Sequence, residues 1–266
     1  MTDSFVLSLS ALMVLPAPAL LVFRRENSRD GLYWVLMGAA VAGAVSSAAV
    51  QVSGAWPTGF STALWVTVAA SMALFAILAA TTRQAWRLTP LTTPYLALIG
   101  ILALIWSRNP QSTLDLSHLP GWVFVHITLS VATYATVTIA AVAALSAFLQ
   151  EKALKAKHPT ALTRMLPSVA DSEGMSVRLL VLGECVLALG LATGMASQYM
   201  ETGQILVFDH KTVLTLTSFG IIGGLLFAHF RWGTRGRKAA RYVLLAYLML
   251  TLGYPGVKFV TGVLLP

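Results

Sequence analysis

Long apolar runs separated by polar connections recur along the whole chain, and eight of them predict membrane-crossing helices. The first covers about Ser4 to Phe23, with a kink expected from Pro16 and Pro18. The second, Gly31 to Val52, is rich in small residues between Gly38 and Ala44, which permits close helix contact. The third covers Ala63 to Ala80. The fourth covers Pro94 to Trp106, with its start expected a few residues earlier. The fifth, Gly121 to Gln150, has no formal charge over thirty residues. The sixth, Leu179 to Gln198, carries Gly190 and Gly194 at GxxxG spacing. The seventh covers Lys211 to Phe230. The eighth covers Tyr242 to Leu265, with an interruption predicted at Gly253-Tyr254-Pro255-Gly256. Two longer polar connections, Ser107–Pro120 and Glu151–Val177, flank the fifth run. The expected fold class is all-α: one polytopic transmembrane domain over 1–266, with four helices in 1–106 and four in 121–265.

The fifth run has an unusual face. Steps of three and four place His126, Ser130, Thr133, Tyr134, Thr138 and Ala141 on one side of a helix. Ile127, Val131, Val142 and Leu145 lie opposite. Lipid cannot satisfy such a polar stripe, so it is expected to face protein or a cavity. The seventh run repeats the layout with Lys211, Thr215, Ser218, Ile222, Leu225 and His229, and Gly220, Gly223 and Gly224 are expected to admit a close neighbour. Glu184 lies within the sixth run. A carboxyl there costs about 2.5–3.5 kcal/mol on insertion scales unless paired or neutral. A polar partner toward the cytoplasmic side is expected.

Composition agrees with the pattern: 57% of residues are apolar and 11% charged, with mean hydropathy +0.76. The net charge of +8 does not indicate a nucleic-acid partner, because the basic residues lie between apolar runs. Connections after runs one, three, five and seven hold fifteen Lys or Arg; the other side holds Arg108, Lys211 and Lys258. The positive-inside rule then puts both termini on the outer, periplasmic side of an inner membrane. The first run has its positive charge after the apolar stretch, unlike a secretory signal, and reads as a retained helix. The tryptophans fall mostly near run ends, as an aromatic belt would. The single cysteine, Cys185, excludes an intrachain disulfide and a CxxC motif.

This sidedness places His118, His126 and His210 at the outer face, and His158 and His229 at the cytoplasmic face. His126 and His229 are then about 25–30 Å apart and cannot share a metal. No nucleophile triad, phosphate loop, metalloprotease signature or dinucleotide fingerprint is present, so an enzyme is not expected.

The succession His126-x-x-x-Ser130-x-x-x-Tyr134-Ala135, Gly183, Gly190-x-x-Thr193-Gly194, Asp209-His210-Lys211-Thr212 and His229-x-Arg231-x-Gly233 resembles the integral-membrane cytochrome c assembly family. The likeness is to its CcsA-like branch, nearest the short YpjD-type members, and is best from about Gly121 to Val260. The resemblance implies that a histidine matching His126 is an outer-face haem ligand and one matching His229 an intramembrane haem ligand. It also implies a tryptophan-rich outer segment ending in Asp-Pro-Lys that holds the haem. Here that segment, Gln198–Lys211, has no tryptophan; Asp209 and Lys211 remain and His210 replaces the proline. The family's second outer histidine has no counterpart after Gly253. His210 is then the candidate replacement ligand.

For each residue a plainer role stands beside the ligand role. His126 is either a haem ligand or a structural group on the stripe bonding a carbonyl. His229 is either a haem ligand or a side chain snorkelling at the interface. Lys211 either flanks a helix or meets a haem propionate. The candidate cofactor set is His126, His229, His210, Asp209, Lys211 and Tyr134, with haem as the expected cofactor and no other metal. Expected partners are membrane lipids, haem and cytochrome c maturation or other membrane proteins. Three functions remain open: a haem-associated cytochrome c assembly component, an accessory membrane protein of the same fold without haem, and a small transporter.

Overall fold

Proline decides where the first span bends. In the computed structural model, which describes residues 2–24, 29–53, 56–57, 59–107, 113–114 and 121–260, α1 (Thr2–Val14) stops before Pro16 and α2 (Ala17–Arg24) starts after it. Pro18 does not kink the helix; it falls in the first turn of α2, where its missing N–H is not needed. Then follow α3 (Gly31–Val52), β1 (Trp56–Pro57), α4 (Phe60–Thr81), a 3₁₀ turn (Ala85–Leu88), α5 (Thr89–Ile105) and β2 (Thr113–Leu114). The second half contains α6 (Gly121–Ala156), the short α7 (Ala161–Met165), α8 (Val169–Thr202), α9 (His210–Trp232) and α10 (Gly236–Thr251). A π-helical stretch (Leu252–Gly256) and α11 (Val257–Phe259) complete the described chain.

Among the described residues, eight helical segments are long and apolar enough to cross a membrane. The chain is an all-α polytopic membrane protein, whose strands are the two-residue pieces β1 and β2 among the described residues. These pair antiparallel, Trp56 with Leu114 and Pro57 with Thr113. The pairing puts the connections after the second and fourth spans at one end of the bundle. Arg108, Asp115 and His118 lie outside the described residues.

Several limits differ from those the apolar pattern suggests, because charged turns continue helices that hydropathy cannot follow. The fourth span starts at Ala85, and Pro90 occupies the first turn of α5 while Pro94 lies inside it. α6 runs on to Ala156 and carries the ion-paired Glu151 and Lys155 one turn apart. α8 begins ten residues before Leu179, with the Ser168 hydroxyl accepting from the Asp171 N–H at its start. The connection between α6 and α8 is therefore short. The last span begins at Gly236, and its expected interruption is a widened helical stretch holding Pro255, not a break.

α6 is the central element. It packs against α8, α10, α4 and α5. Of its most apolar window 78% is buried, against 17% for the seventh span. Ala140, Ala141, Ala143, Ala144 and Ala147 are all buried, so neighbouring backbones come close. Gly183 of α8 is one such approach: a Cβ there would lie 3.1 Å from Val137 Cγ2. In α9, Gly223 is the close approach, against Glu184; a Cβ at Gly220 or Gly224 would meet nothing within 4 Å.

Many hydroxyls within the spans are satisfied internally, as lipid requires, although Ser47, Ser71, Thr133 and Ser197 have no hydrogen-bond partner among the described residues. Thr67 and Thr138 donate to carbonyls one turn earlier, at 2.8 and 2.7 Å. Ser61 donates to Ala103 O (2.7 Å), Ser176 to Ala140 O (3.0 Å) and Ser218 to Ala246 O (2.9 Å), each tying two helices together.

Gly183→Leu is expected to lower thermal stability in detergent by about 1–3 kcal/mol through overpacking against α6. Gly220→Leu, which enters open space, is expected to leave the melting temperature within experimental scatter or raise it.

Candidate cofactor site

The polar stripe of α6 forms one wall of a cleft at the end of the bundle where α6 and α9 begin and α8 ends. His126, Ser130, Thr133 and Tyr134 line it from α6. Leu187, Gly190, Leu191, Gly194, Met195 and Gln198 line it from α8. Asp209, Lys211, Thr212 and Thr215 contribute from the start of α9, and Leu250, Gly253 and Tyr254 from the last span. About 290 Å³ of this cleft is open to water-sized molecules.

The imidazole of His126 is held by α8. Its Nδ1 lies 3.1 Å from the Gly190 carbonyl and 3.2 Å from Thr193 Oγ1. A carbonyl only accepts, so this contact places the ring proton on Nδ1. The Thr193 hydroxyl itself donates toward Leu189 O and Gly190 O. Nε2 is then left as the nitrogen with a lone pair, the form that binds a metal. Gly194 makes room for the ring: a Cβ there would lie 2.9 Å from His126 Cε1. The GxxxG spacing of α8 thus serves the histidine, Gly190 by its carbonyl and Gly194 by its missing side chain.

Below the histidine lies a group of hydroxyls. Tyr134, only 4% exposed, is hydrogen-bonded through its Oη to Thr251 Oγ1 at 3.0 Å. Tyr247 donates to it at 3.3 Å and is itself bonded to Tyr95 on α5. Thr133 Oγ1, buried in the cleft wall, has no hydrogen-bond partner among the described residues.

Asp209 caps α9. Its carboxylate accepts from the Thr212 N–H at 2.7 Å, and this bond holds its carboxyl below the usual carboxylate range. Lys211 is an exposed lining residue of the cleft; His210, the first residue of α9, is also exposed but is not one of the cleft-lining residues.

His229 sits at the other end of the bundle. Its Nδ1 is 3.0 Å from Thr234 O, and it lines a separate recess with Glu173, Arg235 and Gly236. That recess has only about 30 Å³ open to water-sized molecules. No residue lines both clefts. Glu184, for which a polar partner was expected, has none: its Oε2 is enclosed without a hydrogen bond among the described residues, and its Oε1 lies 2.9 Å from the Cβ position of Gly223. The α9 groups that could have met it are already engaged, Ser218 with α10 and His229 with Thr234. Among the described residues no three His, Cys, Asp or Glu side chains gather as a metal site.

A family described as cytochrome C assembly protein matches residues 32–265. The chain belongs to this cytochrome c assembly family. The match takes in the second to fourth spans as well as the helices that line the His126 cleft. Among similar proteins, an uncharacterized 28.8 kDa protein in the nifR3-like 5' region of Azospirillum brasilense is 52% identical over the full length of both chains. Inner membrane protein YpjD of Escherichia coli K12 is 30% identical, over 68% of this chain and 66% of that protein. Protein HemX of Brevibacillus brevis is 27% identical over 60% of each chain. No solved structure matches.

Of the residues the sequence singles out, His126, Tyr134, Asp209 and Lys211 come together, while His210 stays on the rim and His229 lies elsewhere. Met195, Gln198 and Tyr254 are cleft residues that sequence reading missed. Two of them carry a usable signal, since Leu187, Leu191, Met195 and Gln198 repeat at helical spacing beside Gly190 and Gly194. Tyr254 carries none, because its place depends on the π-helical turn.

Gly194→Ala is expected to push the imidazole aside and lower stability by about 1–3 kcal/mol, whereas Gly190→Ala, whose Cβ would be 3.9 Å from Leu129 Cβ, is tolerated; thermal unfolding of the two variants compares them. The Asp209 cap contributes stability that is complete above its ordinary value of about 3.8 and is lost as pH falls through its lowered folded value. A pH titration of melting temperature in wild type and Asp209→Asn should therefore show a difference at neutral pH that disappears only at strongly acidic pH.

Proposed function

We propose that this chain is a haem-handling component of a cytochrome c assembly system, holding haem in the His126 cleft and passing it on without chemical turnover. One observation carries the reading: the Gly190 carbonyl fixes the proton of His126 on Nδ1 and leaves Nε2 as a ligand nitrogen. Haem supplies an iron that takes an axial nitrogen and two propionates that seek cations. His126 would give the nitrogen, and Lys211 the cation at the rim. The apolar groups Leu187, Leu191 and Leu250 would face the porphyrin. His229, with its Nδ1 likewise committed to a carbonyl, is the candidate second ligand at the other depth.

Membership of the cytochrome c assembly family supports this reading. The surplus of Lys and Arg in alternate connections supports placing the His126 end and both termini outside a cytoplasmic membrane. A second reading, an accessory protein that keeps the fold without haem, is favoured by the segment from Gln198 to Lys211, which has no tryptophan.

The protein purified in mild detergent is expected to show a Soret band, directly or after adding haem. His126→Ala should abolish or shift it; His210→Ala, on the rim, should not. A protein that stays colourless with added haem would leave the accessory reading. A reporter fused at the carboxy terminus should be active in the periplasm and silent in the cytosol.

A further inference from the structure

The cleft with the largest open volume of the three described is at the opposite end from His126, and nothing so far uses it. It lies between the 3₁₀ turn before α5, the last turns of α6 and the α6–α8 connection, and about 430 Å³ of it is open to water-sized molecules. Three cations from three different elements line it: Arg87, Lys157 and Arg164. Among the described residues no carboxylate lines it. The nearby acids are engaged elsewhere, Glu151 with Lys155 and Asp171 with the Ser168 hydroxyl at 2.6 Å.

The walls are built, not incidental. Arg87 Nε donates to Met165 O at 3.1 Å, and its Nη2 to Arg164 O at 3.4 Å. Gln150 Nε2 donates to three carbonyls of the connection, Thr163, Leu166 and Pro167, at 2.7, 3.2 and 3.0 Å. A capping box between Thr160 and Thr163 starts α7. Lys157 has φ +53°, the left-handed residue of the cap that ends α6, with its own N–H on Leu154 O at 3.2 Å and the His158 N–H on Ala153 O at 3.3 Å. The connection is thus folded into a fixed cap, with Lys157 and Arg164 exposed at the opening. Leu154, Leu166 and Ala153 add an apolar wall beside the cations.

We propose that this cleft binds a phosphate group, the charge and size that three clustered cations at a membrane–water boundary select. The apolar wall beside the cations favours the phosphate of an anionic lipid headgroup over free phosphate, because it offers acyl or glycerol carbons a surface that a soluble ion does not use. Arg87, already committed to carbonyls, fixes the shape and adds charge; Lys157 and Arg164 make the contact. This site is independent of haem.

The test is native mass spectrometry of the full-length protein in detergent, with phosphatidylglycerol, phosphatidylcholine or inorganic phosphate added. Wild type is expected to retain phosphatidylglycerol roughly tenfold or more better than Lys157→Ala/Arg164→Ala, from the loss of two surface cations. Lys157→Arg/Arg164→Lys should restore retention. Phosphatidylcholine should be held weakly and equally by all three proteins. If millimolar inorganic phosphate displaces the lipid and is itself retained only by proteins with the cations, the phosphate site stands and its ligand is soluble. Equal retention of phosphatidylglycerol by wild type and a double-alanine variant of unchanged melting temperature would overturn the proposal. So would retention of phosphatidylcholine as strong as that of phosphatidylglycerol.

Discussion

A helix that crosses lipid must find partners for every polar group inside the protein, and α6 carries more of that obligation than any other span. Its histidine, serine, threonines and tyrosine cannot face acyl chains. The bundle therefore closes round it: α8 and α10 bond its polar groups, and α4 and α5 pack against it as well. The alanines of its middle third let those helices approach, so the same segment provides close packing at its centre and a polar wall toward its amino end. The Tyr134–Tyr247–Tyr95 hydroxyl series adds a link between α6, the last span and α5.

The cleft follows from where that packing stops. Between Thr133 and Ala144 every α6 residue is buried. Toward Gly121 the helices diverge, and the space left is lined by hydroxyls, an imidazole and the start of α9. α8 does not merely border this space. It presents a carbonyl to the imidazole at Gly190 and withdraws a side chain at Gly194, so the orientation and tautomer of His126 are set by a neighbouring helix. The opposite end is organised differently. There the connection between α6 and α8 is drawn against the bundle by Arg87 and Gln150, both donating to carbonyls that no helix satisfies.

Glu184 stands apart from both ends. It lies against Gly223 with one oxygen enclosed and unbonded. Insertion energetics alone would suggest a partner, yet the candidates on α9 are turned toward α10 and toward their own helix end. Steric room at Gly223, not a hydrogen bond, is what admits the carboxyl.

Number, approximate position and class of the spans were legible in the chain because hydropathy is a one-dimensional property that lipid reads directly. The α6 stripe was legible for the same reason, since helical periodicity puts His126, Ser130, Thr133 and Tyr134 on one face before any neighbour is known. Helix ends were not: charged turns extend α6 and α8 beyond the apolar core, where hydropathy falls but backbone hydrogen bonding and caps continue. Nor could residue spacing tell that Asp209 and Lys211 join His126 while His210, between them, points to the rim, or that Tyr254 reaches the cleft. Those outcomes depend on the rotation of α9 and on a π-helical turn, and both are fixed by contacts between segments far apart in sequence. Sequence periodicity specifies which residues share a helix face; only packing specifies which faces meet.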